Sequence, residues 1–144
     1  MINTSIDVKF HQYKGDILYT QICIASLDDL LIEALIDTGA STSFIKKGII
    51  PDSLMTTIDK PVYGTGANDS EFVLNRQTEC LLIKIQDSLH KIKFLEIALN
   101  FTDALLGMDF LCDFESYTFH MRPTPQLQLH LSGRTFTLPL YAHE

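Results

Sequence analysis

The sequence predicts an all-β domain with little helix. Segments that are apolar, or that alternate between apolar and polar residues, recur along most of the chain, and this is the period of β-strands. Few segments have helical character, and they are short. Hydrophobic residues make up 46% of the 144 residues and charged residues 20%, which suffices for a packed core. We therefore expect a single domain over residues 1–144, without disorder or a fibrous repeat.

The expected strands follow one another to the C-terminal end of the chain. They are residues 17–25, 30–36, 71–74, 79–86, 91–99, 117–121, 126–131 and 134–138. Ser132-Gly133 separates the last two strands, which is the pattern of a hairpin closed by a tight turn. Helix is expected at residues 107–114 and, on a poorer pattern, at residues 43–49.

Charge excludes two classes of partner. The chain has 18 acidic and 11 basic side chains and a formal net charge of -7, which would repel nucleic-acid phosphates and anionic membrane surfaces. The first residues lack the basic and apolar regions of a secretory signal, and no run approaches the roughly 18 apolar residues of a membrane span. We expect a cytoplasmic protein that is not secreted and binds neither nucleic acid nor membranes.

The cysteine pattern predicts neither disulfides nor a metal site. Cys23, Cys80 and Cys112 lie far apart, without a C-x-x-C pair or a histidine at ligand spacing. The five histidines are scattered, and the H-E-x-x-H and G-x-S-x-G motifs of zinc and serine hydrolases are absent. We expect the cysteines to be small core residues, with no metal and no cofactor in the protein.

The most informative motif places a carboxylate at the end of an apolar segment. Residues 34–36 lead into Asp37, which Thr38-Gly39 follows directly. A charge there is costly to bury unless other groups compensate it, and such positions are often functional. Gly39 permits a tight turn and leaves room for a ligand. The alternative is an ordinary surface turn, because Asp, Thr and Gly are all common turn residues.

A second motif, Leu105-Leu106-Gly107, lies ahead of the expected helix 107–114. Together the two motifs, in this order, resemble the retropepsin family of aspartic proteases from retroviruses, LTR retrotransposons and plant pararetroviruses. The resemblance covers about residues 15–122, and the extended motifs look closest to the caulimovirus group of pararetroviruses or to gypsy-type retrotransposons. It implies a single-lobed acid-protease (retropepsin) barrel with one short C-terminal helix. Residues 123–144 would be an extension that carries the hairpin.

The same resemblance implies the site residues. Asp37, Thr38 and Gly39 would be catalytic, with Thr38 hydrogen-bonding across a two-fold axis. Residues 61–72 would form a mobile flap over the substrate, although an ordinary surface loop is the alternative. The residues implied to contact substrate lie on the aspartate loop, the flap and the second motif: Ala40, Ser41, Tyr63, Gly64, Thr65, Gly66, Ala67, Asn68 and Leu105.

One aspartate motif per chain implies a homodimer. Peptide hydrolysis by this chemistry needs two carboxylates, one as general base and one as acid. No internal repeat supplies a second motif, so the partner of Asp37 must come from a second copy of the chain. The implied function is an aspartic endopeptidase that cleaves extended polypeptides, such as a viral or retroelement polyprotein. The alternative is a non-catalytic retropepsin-like module for dimerisation or peptide binding.

The chain departs from many retroviral members at two positions. Those proteins pair an Asp, two residues after the glycine of the aspartate motif, with an Arg that follows the later glycine. Here the two positions hold Ser41 and Met108. Both partners are missing together, so no charge is left without its counterpart, and we do not expect this ion pair.

Overall fold

The computed structural model describes residues 5–7, 18–65 and 71–143. Most of these residues lie in strands. The strands are β1 Ser5–Asp7, β2 Tyr19–Ile24, β3 Leu30–Ile36, β4 Phe44–Lys46, β5 Met55–Thr65, β6 Glu71–Thr78, β7 Leu81–Ile85, β8 Ser88–Ile92, β9 Leu95–Ile97, β10 Ala104–Leu106, β11 Ser116–His120, β12 Gln126–Leu131 and β13 Arg134–Pro139. One α-helix, α1, spans Met108–Leu111, and two 3₁₀ turns span Ala25–Leu27 and Asp52–Leu54.

The strands form two sheets. The larger has the order β1-β5-β6-β9-β4-β10-β3-β2-β7-β8, and the smaller has the order β11-β12-β13. Strand β10 is central, because it pairs in parallel with β3 on one side and antiparallel with β4 on the other. The segment that joins β3 to β4 must therefore pass the end of β10. This topology brings the two sequence motifs together.

Two apolar clusters form the core. The larger contains buried residues of both sheets, such as Ile22 and Ile83 from one and Leu127 and Phe136 from the other. The smaller includes Leu105 of β10, together with residues of β3, β4, β6 and β9. Each fully buried side chain of this size contributes roughly 1.5–3 kcal/mol. Because Leu127 and Phe136 belong to the larger cluster, the 126–139 hairpin packs into the same core as the larger sheet.

Several sequence-based assignments need correction. Residues 43–49 were expected to be helical, but Phe44–Lys46 is a strand because β10 and β9 offer it pairing partners on both sides. The helix expected at residues 107–114 ends at Leu111, and the strand expected at residues 91–99 is divided between β8 and β9. The expectation that the cysteines are core residues is also wrong. Two of the three, Cys80 and Cys112, are exposed, and the third is half-buried.

A buried hydroxyl and a carboxylate join the β3–β4 segment to helix α1. Asp109 accepts hydrogen bonds from the Ser43 hydroxyl (2.6 Å) and the Ser43 backbone N–H (3.0 Å). The Ser43 hydroxyl oxygen in turn accepts the Gly107 N–H at 3.0 Å. Ser43 is fully buried, so its hydroxyl and its backbone N–H each need a hydrogen-bond partner.

Asp109→Ala is expected to destabilise the protein, because it leaves two buried donors of Ser43 unpaired. The expected loss is about 1–3 kcal/mol of unfolding free energy. Chemical denaturation would measure this loss. The control is Asp113→Ala, because Asp113 is an exposed carboxylate just after the end of the same helix. Equal stability of the two variants would contradict this account of Asp109.

His90 lies at the junction of the two sheets. Its ring centroid is 4.8 Å from that of Phe136 in β13 and 5.3 Å from that of Phe114. Its Nε2 atom is buried and has no hydrogen-bond partner among the described residues. This desolvation, together with the positive charge of Arg134, lowers the pKa of His90 below its usual 6.5.

His90 is therefore expected to make the protein less stable as pH falls. Because its pKa is lower in the folded chain, the unfolded chain binds the proton first as pH drops below about 6.5. The contribution of neutral His90 to the free energy of unfolding is complete above about pH 6.5. It is lost as the pH falls from there through the lower pKa of the folded chain. Urea denaturation between pH 7.5 and 5 should show a shallower decline for His90→Leu than for the wild type. Parallel declines would show that His90 contributes nothing to the pH dependence.

Candidate active site

The side chain of Asp37 is oriented by its own turn. The residue directly follows β3, and its N–H donates to the Leu106 carbonyl at 3.0 Å. The Gly39 N–H donates to Asp37 Oδ1 at 2.8 Å, and the Ala40 N–H donates to the Asp37 carbonyl at 3.2 Å. The strand end, the turn and the carboxylate are thus fixed with respect to one another. Such preorganisation is what a reacting carboxylate requires.

The loop of residues 37–43 rests directly on the backbone that begins helix α1. The Met108 N–H donates to the Ala40 carbonyl at 2.7 Å, and the Asp109 N–H donates to the Ser41 carbonyl at 3.2 Å. A Cβ atom at Gly107 would lie 2.6 Å from the Thr42 carbonyl oxygen and 2.8 Å from that of Ala40. These distances are shorter than a van der Waals contact between a carbon and an oxygen atom. Gly107 is therefore required for the loop to lie where it does.

The predicted catalytic residues lie together at the surface of the chain. Asp37 is half-buried, whereas Thr38, Gly39 and Ser41 are exposed. The tip of the loop is thus open to a ligand or to another protein chain. The hydrogen bond expected from Thr38 across a two-fold axis stays a prediction, because the structure contains one chain.

Two residues implied to contact substrate lie inside the core of the single chain. Ala40 and Leu105 are fully buried and belong to the smaller apolar cluster with Phe44 and Leu35. Their side chains are therefore covered in the single chain, and their contact with substrate stays a prediction. Ala40 attaches the loop to this cluster, and Leu105 lies on the strand beneath the loop.

The predicted flap region is an antiparallel hairpin of β5 and β6. Tyr63 pairs with Val73, and both side chains are more than half exposed, at 54% and 57%. The pairing continues through Gly64 to Thr65. The substrate-contacting residues expected at the tip, Gly66, Ala67 and Asn68, lie outside the described residues.

A bulge divides this hairpin into a base and a distal part. Thr57 pairs with Arg76 and Val62 pairs with Leu74, so residues 58–61 stand opposite a single residue. Val62 and Leu74 pack in the smaller apolar cluster, which also contains Ala40 of the aspartate loop. The hairpin and the aspartate loop therefore share one small core.

Arg76 holds the base of the hairpin. Its guanidinium lies 2.8 Å from Asp52 in a 3₁₀ turn and 3.6 Å from the buried carboxylate of Glu96 in β9. The hydrogen bond to Asp52 raises the pKa of Arg76, so its charge is permanent. These contacts join β6 to two other elements below the bulge. The distal part above the bulge has no such anchor among the described ion pairs.

Sequence reasoning missed Ser43 and Asp109. Asp109 is followed by neither Thr-Gly nor Ser-Gly, so it lacks the motif of a catalytic aspartate, and the sequence-based expectations assign it no structural role. The available signal was its place two residues after Gly107, in the first turn of a helix, where a carboxylate is favourable. Its partner Ser43 lies 66 residues away, so the pairing itself had no local signal.

The described residues contain neither a metal-binding cluster nor a membrane-spanning helix. No three His, Cys, Asp or Glu side chains in residues 5–7, 18–65 and 71–143 are grouped so that they could hold a metal ion. No helix in that part of the chain is long and apolar enough to cross a membrane.

Comparison with known proteins agrees with the fold. The chain is similar to the crystal structure of the retroviral protease-like domain of Ddi1 from Leishmania major, with a TM-score of 0.64 and 16% sequence identity. The similarity covers 90% of this chain and 97% of that domain. No curated protein matches the chain. A mostly β, retropepsin-like fold is thereby confirmed.

The model of one protein family matches most of the sequence. The match to the family described as retroviral aspartyl protease extends over residues 7–124. It includes the loop of Asp37, the β5–β6 hairpin, Gly107 and helix α1. The chain belongs to the retroviral aspartyl protease family.

Proposed function

We propose that the protein is an aspartic endopeptidase that cleaves extended polypeptide segments, using one Asp37 carboxylate from each subunit of a homodimer. The observation that carries this proposal is the fixed Asp37 carboxylate on a loop whose tip is exposed. The turn orients the carboxylate through the Gly39 N–H, and Gly107 allows the loop to pack closely against the chain below. Membership of the protease family supports the same chemistry.

The proposed reaction divides the work between two Asp37 carboxyl groups. One, ionised, accepts a proton from a water molecule as the water oxygen attacks the peptide carbonyl carbon. The other, protonated, donates its proton to the carbonyl oxygen, which gives a tetrahedral diol. The first carboxyl group then passes the proton taken from water to the amide nitrogen as the C–N bond breaks, and the second takes a hydroxyl proton back, so that a carboxylic acid and an amine leave. Two carboxylates close together cannot both ionise easily, so one proton is shared at mildly acidic pH. Activity is therefore expected on the acidic side of neutral.

The exposed tip of the aspartate loop supports the proposed dimer. Thr38 and Gly39 are exposed in the single chain, as residues that meet a second copy would be. The described chain contains one such loop, so a pair of carboxylates requires a two-fold arrangement.

The proposed substrate is a polypeptide in extended conformation. It would lie between the aspartate loop and the distal part of the β5–β6 hairpin, where main-chain hydrogen bonds provide affinity and side-chain pockets provide preference. Tyr63 and Val73 of this hairpin are exposed in the single chain. A polyprotein of a virus or retroelement, processed in the cytoplasm of the host cell, is the substrate we propose. The element we propose is a pararetrovirus of the caulimovirus group or a gypsy-type retrotransposon, which the motifs of this chain resemble.

A binding module without catalysis is the second candidate. The similar domain from Leishmania major is described as protease-like, and the fold alone does not require activity. Such a module would dimerise and hold peptide segments without cutting them. Substitution of Asp37 separates the two functions, because a module would keep its binding.

Asp37→Asn is expected to abolish peptide cleavage, because the amide cannot act as general base. The measurement is digestion of a mixed peptide library from pH 4 to 7, with pepstatin added to a parallel sample. The expected loss is at least about 10²–10⁴-fold. Asp113→Asn is the control, because Asp113 is an exposed carboxylate outside residues 37–43. Absence of cleavage by folded, dimeric wild type at every pH would favour the binding module.

Dimerisation is expected to control the specific activity. Specific activity should rise with protein concentration, because only the dimer has two carboxylates. Excess Asp37→Asn chain added to the wild type should inhibit it by forming mixed dimers with one carboxylate. Activity that is proportional to enzyme concentration over the whole range, and insensitive to the added variant, would rule out a shared active site.

A further inference from the structure

The segment of residues 139–143, here called the C-terminal clasp, binds next to the strands that lead to Asp37. Tyr19 and Tyr141 exchange two backbone hydrogen bonds, of 2.8 and 2.9 Å. The Thr20 hydroxyl donates to the Pro139 carbonyl at 2.7 Å. The family match ends at residue 124, so the clasp lies beyond the part of the chain that the family describes.

A short series of backbone hydrogen bonds connects the clasp to Asp37. The Tyr19 N–H donates to the Tyr141 carbonyl, and the carbonyl of the preceding residue, Leu18, accepts the Ile36 N–H at 3.0 Å. Ile36 directly precedes Asp37. The start of β2 therefore lies between the clasp and the end of β3, and is hydrogen-bonded to both. Backbone hydrogen bonds thus connect the clasp to the residue before the aspartate.

Side chains of the clasp also bind β3 itself. The Tyr141 hydroxyl donates to Glu33 Oε2 at 2.7 Å, and His143 Nε2 lies 2.8 Å from the same oxygen. The His143 ring stacks on Tyr19 with 3.8 Å between centroids and 8° between planes. Burial and the hydrogen bond to Glu33 raise the pKa of Tyr141 to about 12, so its hydroxyl remains a donor at the pH of any assay.

Glu33 is itself firmly held, which makes it a suitable anchor. Its N–H donates to Asp103 Oδ2 at 3.0 Å, and its carbonyl accepts the Thr102 hydroxyl at 3.2 Å. It is the charged residue of an otherwise apolar strand, four positions before Asp37. Tyr141 also packs against the smaller apolar cluster, which contains Ala40 of the aspartate loop. The clasp therefore contacts both the strand before the loop and the core beneath it.

We propose that Tyr141 and His143 are positioning residues for Asp37. They hold β3 and the start of β2 together, so that the aspartate leaves the strand in one fixed orientation. This inference rests on the proposed function, because orientation matters most for a carboxylate that must meet a second carboxylate and a water molecule. In this proposal the two residues act on Asp37 through β2 and β3 and are not catalytic residues.

The test combines amide hydrogen exchange with kinetics in the double variant Tyr141→Phe/His143→Ala. The variant removes the contacts to Glu33 and leaves β3 unaltered. Loss of two hydrogen bonds is expected to accelerate exchange of the Ile36 and Asp37 amides about tenfold, with the β12–β13 amides unchanged. The kcat for peptide cleavage should fall about tenfold, while KM changes less than twofold.

Three results would overturn the proposal: unchanged exchange at Ile36 and Asp37, faster exchange throughout the chain, or faster local exchange with unchanged kcat. If the wild type cleaves no peptide, the proposed function fails, and exchange alone then decides whether the clasp holds the aspartate. If the double variant does not fold, Glu33→Gln replaces it. Its matched control is Glu115→Gln, whose carboxylate accepts a hydrogen bond from Ser132 far along the chain from β3.

Discussion

The close contact between two backbones at Gly107 is the constraint on which the candidate active site depends. The loop that carries Asp37 crosses the end of β10 at a distance that leaves no room for a Cβ atom. Because the backbones are so close, the carbonyls of Ala40 and Ser41 accept N–H groups from the first turn of helix α1. The loop needs no long side chains of its own to be rigid.

The support beneath this loop differs from that of many retroviral relatives. Ser41 and Met108 replace the charged pair that those proteins use, and no ion pair forms at these positions. Instead the buried hydroxyl of Ser43 binds the carboxylate of Asp109 on the same helix. A short hydrogen bond between a neutral and a charged group, formed within one chain, holds the loop to the helix. The loop is thereby stabilised within the single chain.

The hairpin, the aspartate loop and the C-terminal clasp meet in one small apolar cluster. Leu74 comes from the hairpin, Ala40 from the loop and Tyr141 from the clasp. Close-packed interiors transmit displacements, so these three elements are mechanically connected. The bulge at residues 58–61 interrupts the regular pairing of the hairpin, whereas Arg76 keeps its base in place. The structure thus combines a rigid aspartate with a hairpin whose base is anchored by Arg76, while β1 and the small apolar cluster hold the part above the bulge.

The sequence by itself determined the features that depend on neighbouring residues. The strand at 30–36, the hairpin strand at 126–131 and the aspartate turn that follows the first of them are local patterns, and the structure has them as predicted. Only the tertiary structure decided that residues 44–46 form a strand, because their pairing partners lie far along the chain. The same holds for the contacts of Asp109 with Ser43 and of Tyr141 with Glu33, which join residues 66 and 108 positions apart. Periodicity and turn chemistry act over a few residues, whereas these contacts arise only when the packing of the sheets brings distant segments together.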